Sequence, residues 1–271
     1  MAFSTDIIGI AKKISSGISG KGKTMKGIDV SKWQGVVDYE AVRNSGIEFV
    51  IIRAGFGKEK SQKDSCFERN YEKARAAGLK VGAYWYSYAE TVEEAKREAT
   101  ACLSVIDGKK FDLPVYFDVE EHRQFAKGRN FVDSIITVFC DSLKGAGFTP
   151  GIYMSTSPLM AYVSESVRAK YTVWVAQYNV RCTYDGKYGI WQYSSKGSVP
   201  GVRGCVDMNI CYEDFGAEAE AEVKEPRKTV DELAREVIAG KWGNGSKRKR
   251  LLAEAGYDYA KVQERVNALL R

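Results

Sequence analysis

The stretch "PVYFDVEE", residues 114–121, joins an apolar run typical of a buried strand to three acids at its end. Residues i and i+2 of a strand point to the same side, so Asp118 and Glu120 are expected to share one face. Buried acids need partners or a chemical task, because an unpaired buried charge is costly. Glu121 beside them is expected to be a solvated loop charge. The stretch therefore predicts both a buried strand and a site of chemistry.

Seven other short apolar runs share this character, and each ends in polar or aromatic residues. They are "KGIDVSKW", "FVIIRAGFG", "VGAYWYSYA", "PGIYMST", "TVWVAQYN", "YGIWQYSS" and "CVDMNIC". Segments with helical character, such as "NFVDSIITVFCDSLKGAG", separate the first five strands of the eight. Near-continuous apolar strands that alternate with helices predict parallel strands with the helices outside.

The last three strands follow one another at gaps too short for full crossover helices. The chain therefore predicts an α/β fold in which an irregular eight-stranded (β/α)5β3 barrel carries five strand–helix units and three further strands. An open doubly wound sheet is the alternative. It lacks support, because no glycine-rich phosphate loop follows any strand.

Composition divides the chain into four parts. Residues 1–25 are expected to form a leader, disordered or weakly amphipathic, and residues 26–215 the barrel. The small, charged, proline-containing segment 216–228 is predicted to be a linker, and residues 229–271 a three-helix bundle. The short apolar stretch of the leader precedes its lysines, which is the reverse of a secretory signal, so no signal peptide is predicted.

The 271 residues and their charges exclude several classes of protein. No apolar run approaches the ~20 residues of a membrane helix, so no stable membrane insertion is expected. The net charge of +6 lies at the two ends of the chain, which argues against a nucleic-acid partner. One histidine, His122, and no paired cysteine motif predict no metal and no cofactor. Cys182, Cys205 and Cys211 are close enough in sequence to pair.

The carboxyl ends of the strands bring four acids to one face of the predicted barrel. They are Asp29 from the first strand, Asp118 and Glu120 from the fourth, and Asp207 from the last. Three tasks suit such a cluster: glycoside hydrolysis, a carboxylate cage for Mg²⁺ or Ca²⁺ in a phosphoesterase, and noncatalytic carbohydrate binding.

Aromatic residues at the same strand ends favour a sugar ligand, because their rings stack on sugar faces. They are Tyr84, Trp85, Tyr86, Tyr88, Tyr153, Trp174, Tyr178, Trp191 and Tyr193. A phosphoesterase would place several cations near its metals, whereas Arg53 is the main cation at these strand ends.

From Lys26 to about Phe215 the chain resembles the glycoside hydrolase family 25 lysozymes. The resemblance rests on ordered blocks, among them "KGIDVSKWQGVVDYEAV", "FVIIRAGFG", "LPVYFDVE" and "IWQYSSKGSVPGV" with the closing "VDMN". It implies a muramidase of bacteria or their phages that cleaves the β-1,4 bond between N-acetylmuramic acid and N-acetylglucosamine. The implied partner is bacterial peptidoglycan.

The resemblance also assigns roles to residues. It implies three catalytic acids, with Glu120 as general acid/base beside Asp118 and Asp207. A retaining, substrate-assisted route, in which Asp118 orients the 2-acetamido group of the substrate, is favoured over a covalent Asp118 or Asp207 nucleophile. The residues expected to bind substrate are Asp29, Tyr86, Tyr153, Trp174 and Gln192.

The tail, with "GKWGNG" and "AGYDY", resembles the type-7 cell-wall-binding repeat of some phage lysozymes. This implies targeting to the cell wall. Trp242, Asn244 and Arg248 are candidate ligand contacts, although Trp242 and Tyr257 could equally fill a small core.

Two alternatives stay open beside the muramidase: a noncatalytic cell-wall-binding barrel and a chitinase-like glycosidase of broader specificity. The muramidase itself is expected to act at the bacterial cell wall. A phage endolysin would remain in the host cytoplasm until lysis, whereas a bacterial autolysin would be extracellular.

Overall fold

The computed structural model describes residues 24–215, 228–255 and 257–270. The predicted leader, except for its last two residues, and the predicted linker, except for Lys228, lie outside the described residues. Contacts divide the chain into two compact units, Met1–Ala217 and Glu218–Arg271. The division falls inside the segment for which the sequence predicts a linker. Each unit is described by itself.

Eight strands close into a barrel in the order of the chain. Neighbouring strands from β1 to β7 run parallel, and β8 runs antiparallel to both β7 and β1. The strands are β1 Met25–Val30, β2 Phe49–Phe56, β3 Lys80–Tyr86, β4 Val115–Asp118, β5 Pro150–Ser155, β6 Thr172–Ala176, β7 Ile190–Gly197 and β8 Val206–Cys211. The predicted irregular eight-stranded barrel is confirmed.

Helices occupy the five connections between β1 and β6, as the (β/α)5β3 pattern predicts. The connections after β4 and β5 each contain two helices. The helices are α1 Tyr39–Asn44, α2 Phe67–Ala76, α3 Val92–Ile106, α4 His122–Phe125, α5 Arg129–Gly145, α6 Thr156–Tyr162 and α7 Glu165–Lys170. Side-chain caps fix where helices begin: the Thr91 hydroxyl, for example, accepts a hydrogen bond from the Glu94 amide at the start of α3.

Strand β4 shows how period-two alternation positions the site. Phe117 points to the outer layer and stacks on Phe139 of α5 at 3.9 Å between ring centroids. Tyr116 and Asp118 take the opposite direction, into the barrel. Gly151 on the neighbouring strand makes room, since a Cβ there would lie 2.4 Å from the Tyr116 ring. Tyr116 packs with Tyr84, Tyr153 and Trp174, and these four rings form the aromatic floor of the barrel below the carboxyl group of Asp118.

The second unit contains three helices, α8 Val230–Ile238, α9 Gly245–Glu254 and α10 Tyr259–Leu269. Thr229 and Glu232 form a capping box at the start of α8. A small apolar core joins the helices through Leu233, Ala234, Val237, Leu252, Val262 and Val266. The predicted three-helix bundle is confirmed.

Within the described residues, no helix combines the length and the apolar character needed to cross a membrane. All six cysteines lie in the described part of the chain and are free thiols, so Cys182, Cys205 and Cys211 are unpaired in this structure.

Candidate active site

Four acids meet at the carboxyl end of the barrel, as the strand-end pattern predicts. Asp29 and Asp207 lie directly opposite each other in the antiparallel β1–β8 pair. Asp118 is the last residue of β4, and Glu120 follows two residues later. Their charges act on one another: Asp207 and Glu120 on Asp29, and Glu120 and Asp29 on Asp118. The site therefore concentrates negative charge that only partial protonation relieves.

Asp29 is held on one side by two amides. Its Oδ2 accepts hydrogen bonds from Gln192 Nε2 at 2.9 Å and from Asn209 Nδ2 at 2.8 Å. Burial, with repulsion from Asp207, raises the pKa of Asp29 to about 7, and the two amide hydrogen bonds oppose this rise. Asp29 was expected to contact substrate, and the structure places it inside this hydrogen-bonded network.

Asp118 is buried without such support. Its Oδ1 has no hydrogen-bond partner among the described residues. Burial, with repulsion from Glu120 and Asp29, holds the pKa of Asp118 well above its usual range, and the Arg53 guanidinium opposes the shift. A buried acceptor without a partner calls for an explanation, and a free position for a ligand donor is one.

Glu120 and Asp207 differ from the other two acids in their exposure to solvent. The Glu120 side chain is exposed at the mouth, and Asp207 is half-buried. Partial desolvation, with repulsion from Asp207 and Glu121, raises the pKa of Glu120. Desolvation also raises the pKa of Asp207. An acid with a raised pKa that solvent and substrate can reach suits proton donation.

Tyr86 lies beside these acids. Its hydroxyl donates to Glu121 Oε1 at 3.0 Å, and its ring lies 4.9 Å from that of Tyr88. Glu121 is therefore not a free solvated charge: it fixes Tyr86 and begins α4, where Gln124 completes a capping box. Tyr86 lies at the site, and its contact with substrate stays a prediction.

Tyr153 and Gln192 belong to the network under the acids. The hydroxyls of Tyr153 and Tyr178 donate to Gln192 Oε1 at 2.9 and 3.1 Å. Gln192 is only 2% exposed. Contact of Gln192 with substrate stays a prediction, and of the side chains in this network Tyr178 is the exposed one.

Trp174 does not fit its expected contact with substrate. It is 1% exposed in the barrel interior, where the Tyr153 ring packs against it at 4.4 Å. The indole Nε1 donates to Asn209 Oδ1 at 2.8 Å. Trp174 lies two positions before the end of β6 and therefore within the barrel, below its mouth. Asn209, two residues after Asp207 on the same face, was missed although period two predicts its direction.

Arg53 supplies the positive charge acting on Asp118. Its Nε donates to Asp64 Oδ2 at 2.7 Å. Asp64 also accepts from the amide nitrogens of Lys32 and Cys66, at 3.1 and 2.9 Å. Asp64 thus ties the loops after β1 and β2 together and fixes Arg53. The sequence gives no signal for Asp64, because it lies between regular elements.

The loop after β3 is held by a buried carboxyl group. Glu98 of α3 accepts from Ser87 Oγ at 2.7 Å and from the Tyr88 amide at 2.8 Å. The Ser87 amide donates to the carbonyl of Asp118 at 2.9 Å. Burial raises the pKa of Glu98 to about 7. Sequence analysis missed Glu98, since an acid on an amphipathic helix is normally solvated.

The three candidate contacts of the second unit make internal bonds. Trp242 packs edge-on against Tyr257 and donates to Glu236 Oε2 at 3.0 Å. Arg248 donates to the Gly243 carbonyl at 3.0 Å and to Asn244 Oδ1 at 3.1 Å. Trp242 and Tyr257 thus contribute to the small core. Contact with a ligand stays a prediction for all three.

Comparison with known proteins places these features in a family. Residues 28–202 match the profile of Glycosyl hydrolases family 25, and residues 231–270 match the CW_7 repeat. An autolytic lysozyme of Clostridium acetobutylicum is 33% identical over 186 residues, which are 68% of this chain and 55% of that protein. The chain thus spans little more than half the length of that relative.

Two further similarities cover the chain differently. A lysozyme of Streptococcus phage Cp-7 is 29% identical over 254 residues, which are 89% of this chain and 69% of that protein. A bacterial lysozyme from Streptomyces coelicolor superposes with a TM-score of 0.62 at 26% identity, covering 74% of this chain and 97% of that structure. With the barrel, the strand-end acids and the profile match in agreement, the chain belongs to glycosyl hydrolases family 25.

Proposed function

We propose that the protein is a peptidoglycan hydrolase, an N-acetylmuramidase that cleaves the β-1,4 bond between N-acetylmuramic acid and N-acetylglucosamine. The single observation that carries the proposal is the pairing of Glu120, exposed with a raised pKa, with Asp118, buried with an unpartnered oxygen. Family membership and the lysozymes among the relatives support the same activity.

Glu120 is the general acid in the proposed first step. Its raised pKa favours the protonated carboxyl group that a general acid requires. The proton passes to the glycosidic oxygen, the bond from that oxygen to the anomeric carbon breaks, and the leaving sugar departs as an alcohol. Solvent exposure lets Glu120 reach a bond in a glycan strand that lies across the mouth.

Asp118 orients the nucleophile in the same step. The 2-acetamido oxygen of the substrate attacks the anomeric carbon as the glycosidic bond breaks, and a bicyclic oxazolinium ion forms. Asp118 Oδ1, which lacks a partner, accepts the acetamido N–H. The positive charge that develops on the ring favours the ionised form of Asp118 over the neutral form that burial favours, and the ionised form stabilises that charge. Asp118 does not form a covalent bond in this scheme.

Water completes the reaction. Glu120, now ionised, removes a proton from water, which attacks the anomeric carbon and reopens the oxazolinium ring. Two displacements at the same carbon give a product with retained configuration. Glu120 regains its proton, and the enzyme returns to its starting state. Asp207 and Asp29 contribute negative charge next to Glu120 and Asp118 during these steps.

The second unit is proposed to bind the wall. Its match to the CW_7 repeat supports this role. Binding of a tethered module to the wall raises the effective concentration of substrate at the barrel without new catalytic contacts. We place the activity at the bacterial cell wall and take peptidoglycan as the partner.

Digestion of purified cell walls tests the proposal. Wild-type protein is expected to lower the turbidity, release reducing ends and liberate fragments that end in reducing N-acetylmuramic acid, identified by mass. Polymers of N-acetylglucosamine alone are expected to be cleaved much more slowly. Fragments with reducing N-acetylglucosamine would indicate another glycosidase, and walls that remain intact would favour a noncatalytic binding protein.

A further inference from the structure

We infer that Asn209 is a positioning residue that, with its amide fixed by Trp174, favours the ionised form of Asp29 and so sets the charge felt by the other acids. The inference rests on the proposed function and assigns Asn209 no contact with substrate or with the reacting atoms. It acts through Asp29. Asn209 is fully buried, at 0% exposure, below the acid cluster.

Trp174 determines which way the Asn209 amide faces. An indole nitrogen can only donate a hydrogen bond. The atom of Asn209 that lies 2.8 Å from Trp174 Nε1 is therefore the carbonyl Oδ1. The NH₂ group must then face Asp29, where Nδ2 lies 2.8 Å from Oδ2. If the Asn209 amide were turned round, both hydrogen bonds would be lost, and its NH₂ group would face the N–H group of Trp174.

Asp29 itself orients the Gln192 amide, since a tyrosine hydroxyl can donate or accept and a carboxylate can only accept. The Gln192 Nε2 donates to Asp29 Oδ2 at 2.9 Å, and its Oε1 accepts from the hydroxyls of Tyr153 and Tyr178. A carboxylate oxygen offers about two acceptor positions. Both positions of Oδ2 are filled by amide donors, which leaves no room for a proton on this oxygen. A proton on Asp29 must therefore reside on Oδ1.

The amides thus favour the charged form of Asp29 inside a crowd of acids. Of these acids, Asp207 lies directly opposite in the β1–β8 register. Loss of the Asn209 donor removes one of the two contacts that oppose neutralisation of Asp29. The titratable groups around Asp29 are Asp207 on β8, Asp118 and Glu120 from β4, Tyr84 on β3, Tyr153 on β5 and Tyr178 after β6, with Arg53 on β2 acting on Asp118 and Tyr84.

The direction of the effect follows from repulsion between like charges. An ionised Asp29 raises the pKa of Asp118. Glu120 repels Asp29, and this repulsion acts in both directions. In Asn209→Leu, Asp29 takes up a proton more readily, the repulsion weakens, and Glu120 loses its proton at a lower pH. The basic limb of the kcat/KM profile is expected to move down by about half a pH unit, about threefold at a fixed pH above it.

The first experiment follows Asp29 itself and needs no activity. Carboxyl-carbon NMR titrations are compared for wild type and Asn209→Leu, and the Asp29 signal is identified by its absence from Asp29→Asn. Asp29 is expected to titrate at a higher pH in Asn209→Leu. Asn70→Leu is the matched control, since Asn70 is also fully buried and its amide has no hydrogen-bond partner among the described residues.

The second variant, Trp174→Phe, leaves Asn209 in place and releases its amide. A shift of the Asp29 midpoint in the same direction, smaller than in Asn209→Leu, supports the inference. It stands as the test if Asn209→Leu does not fold. An unmoved Asp29 midpoint, or a pH–rate profile that loses height without moving its limb, overturns it. A wild type that titrates as expected but cleaves no wall would contradict the proposed function alone.

Discussion

The two sides of the barrel mouth hold their acids in opposite ways. On the side of β1, β7 and β8, Asp29 accepts two amide hydrogen bonds on one oxygen. On the side of β3 and β4, Asp118 is equally buried, but its Oδ1 has no partner among the described residues. One carboxyl group is fixed by the protein, and the other is left open.

This difference separates two uses of a buried acid. A carboxylate whose hydrogen bonds are satisfied acts as a fixed charge on its surroundings. A carboxyl group with an unsatisfied oxygen carries a desolvation penalty, and a substrate donor that fills the gap relieves it. We therefore expect substitutions on the Asp118 side to reduce the chemical step, and those on the Asp29 side to change its pH dependence.

Glu120→Gln is expected to have the largest effect, because it removes the proton donor on which both sides depend. We expect kcat on purified walls to fall about 10³-fold, since general acid–base catalysis contributes about 10²–10⁴-fold. Release of reducing ends measures the loss. Glu72→Gln on α2 is the matched control, an exposed acid-to-amide change expected to leave kcat unaltered. Equal rates in the two variants would show that Glu120 donates no proton.

Asp118→Asn is expected to follow, with a fall in kcat of about 10²-fold and little change in KM. An amide can still accept a hydrogen bond at Oδ1, but it lacks the charge that stabilises the developing oxazolinium ion. Steady-state kinetics on a soluble peptidoglycan fragment separate the two constants. A rise in KM with kcat unchanged would mean that Asp118 only binds the substrate.

Asp29→Asn is expected to have a smaller effect, which is the sharpest test of the comparison. Its side-chain oxygen can still accept from Gln192 and Asn209, so only the charge is lost. We expect about a tenfold loss of kcat/KM at pH 8 and a basic limb displaced to lower pH, because Glu120 then titrates earlier. A pH–rate profile measures both. A loss as large as that of Asp118→Asn, without displacement of the limb, would contradict the assignment.

Glu98→Gln is expected to affect pH-dependent stability more than catalysis. The pKa of Glu98 is about 7 in the folded protein against a usual value of 4.5. Because the folded-state pKa is the higher one, proton binding by Glu98 adds about 3 kcal/mol to the free energy of unfolding. This contribution is present in full below pH 4.5 and is lost as the pH rises through 7. Urea unfolding at pH 5 and pH 8 should show a smaller difference for Glu98→Gln than for wild type. Equal differences would mean that Glu98 does not titrate in this range.

Much of the fold and part of the site could be predicted from the sequence. The physical reason why the rest could not is the distance along the chain between the residues in contact. Strand alternation and strand-end position depend on local patterns, so the barrel, Asp118 and Glu120 were predictable from "PVYFDVEE" and its neighbours. Asn209, Asp64 and Glu98 were not, because their roles arise from contacts between distant segments. The Asn209–Asp29 bond, for instance, joins residues 180 positions apart.

Trp174 shows a second limit of prediction from sequence, in which one pattern fits two different roles. An aromatic residue near a strand end suits either a sugar platform or a barrel floor, and the sequence pattern is the same for both. Only closure of the barrel decides, because it surrounds Trp174 with the rings of Tyr84, Tyr116 and Tyr153.

Binding of a thiazoline analogue of the bicyclic oxazolinium ion tests the central claim most directly, since the analogue carries the ring that Asp118 is proposed to stabilise. We expect competitive inhibition of wild type, weakened at least about tenfold in Asp118→Asn. Absence of inhibition, together with a covalent glycosyl adduct on Asp118 or Asp207 detected by mass spectrometry, would contradict the substrate-assisted route.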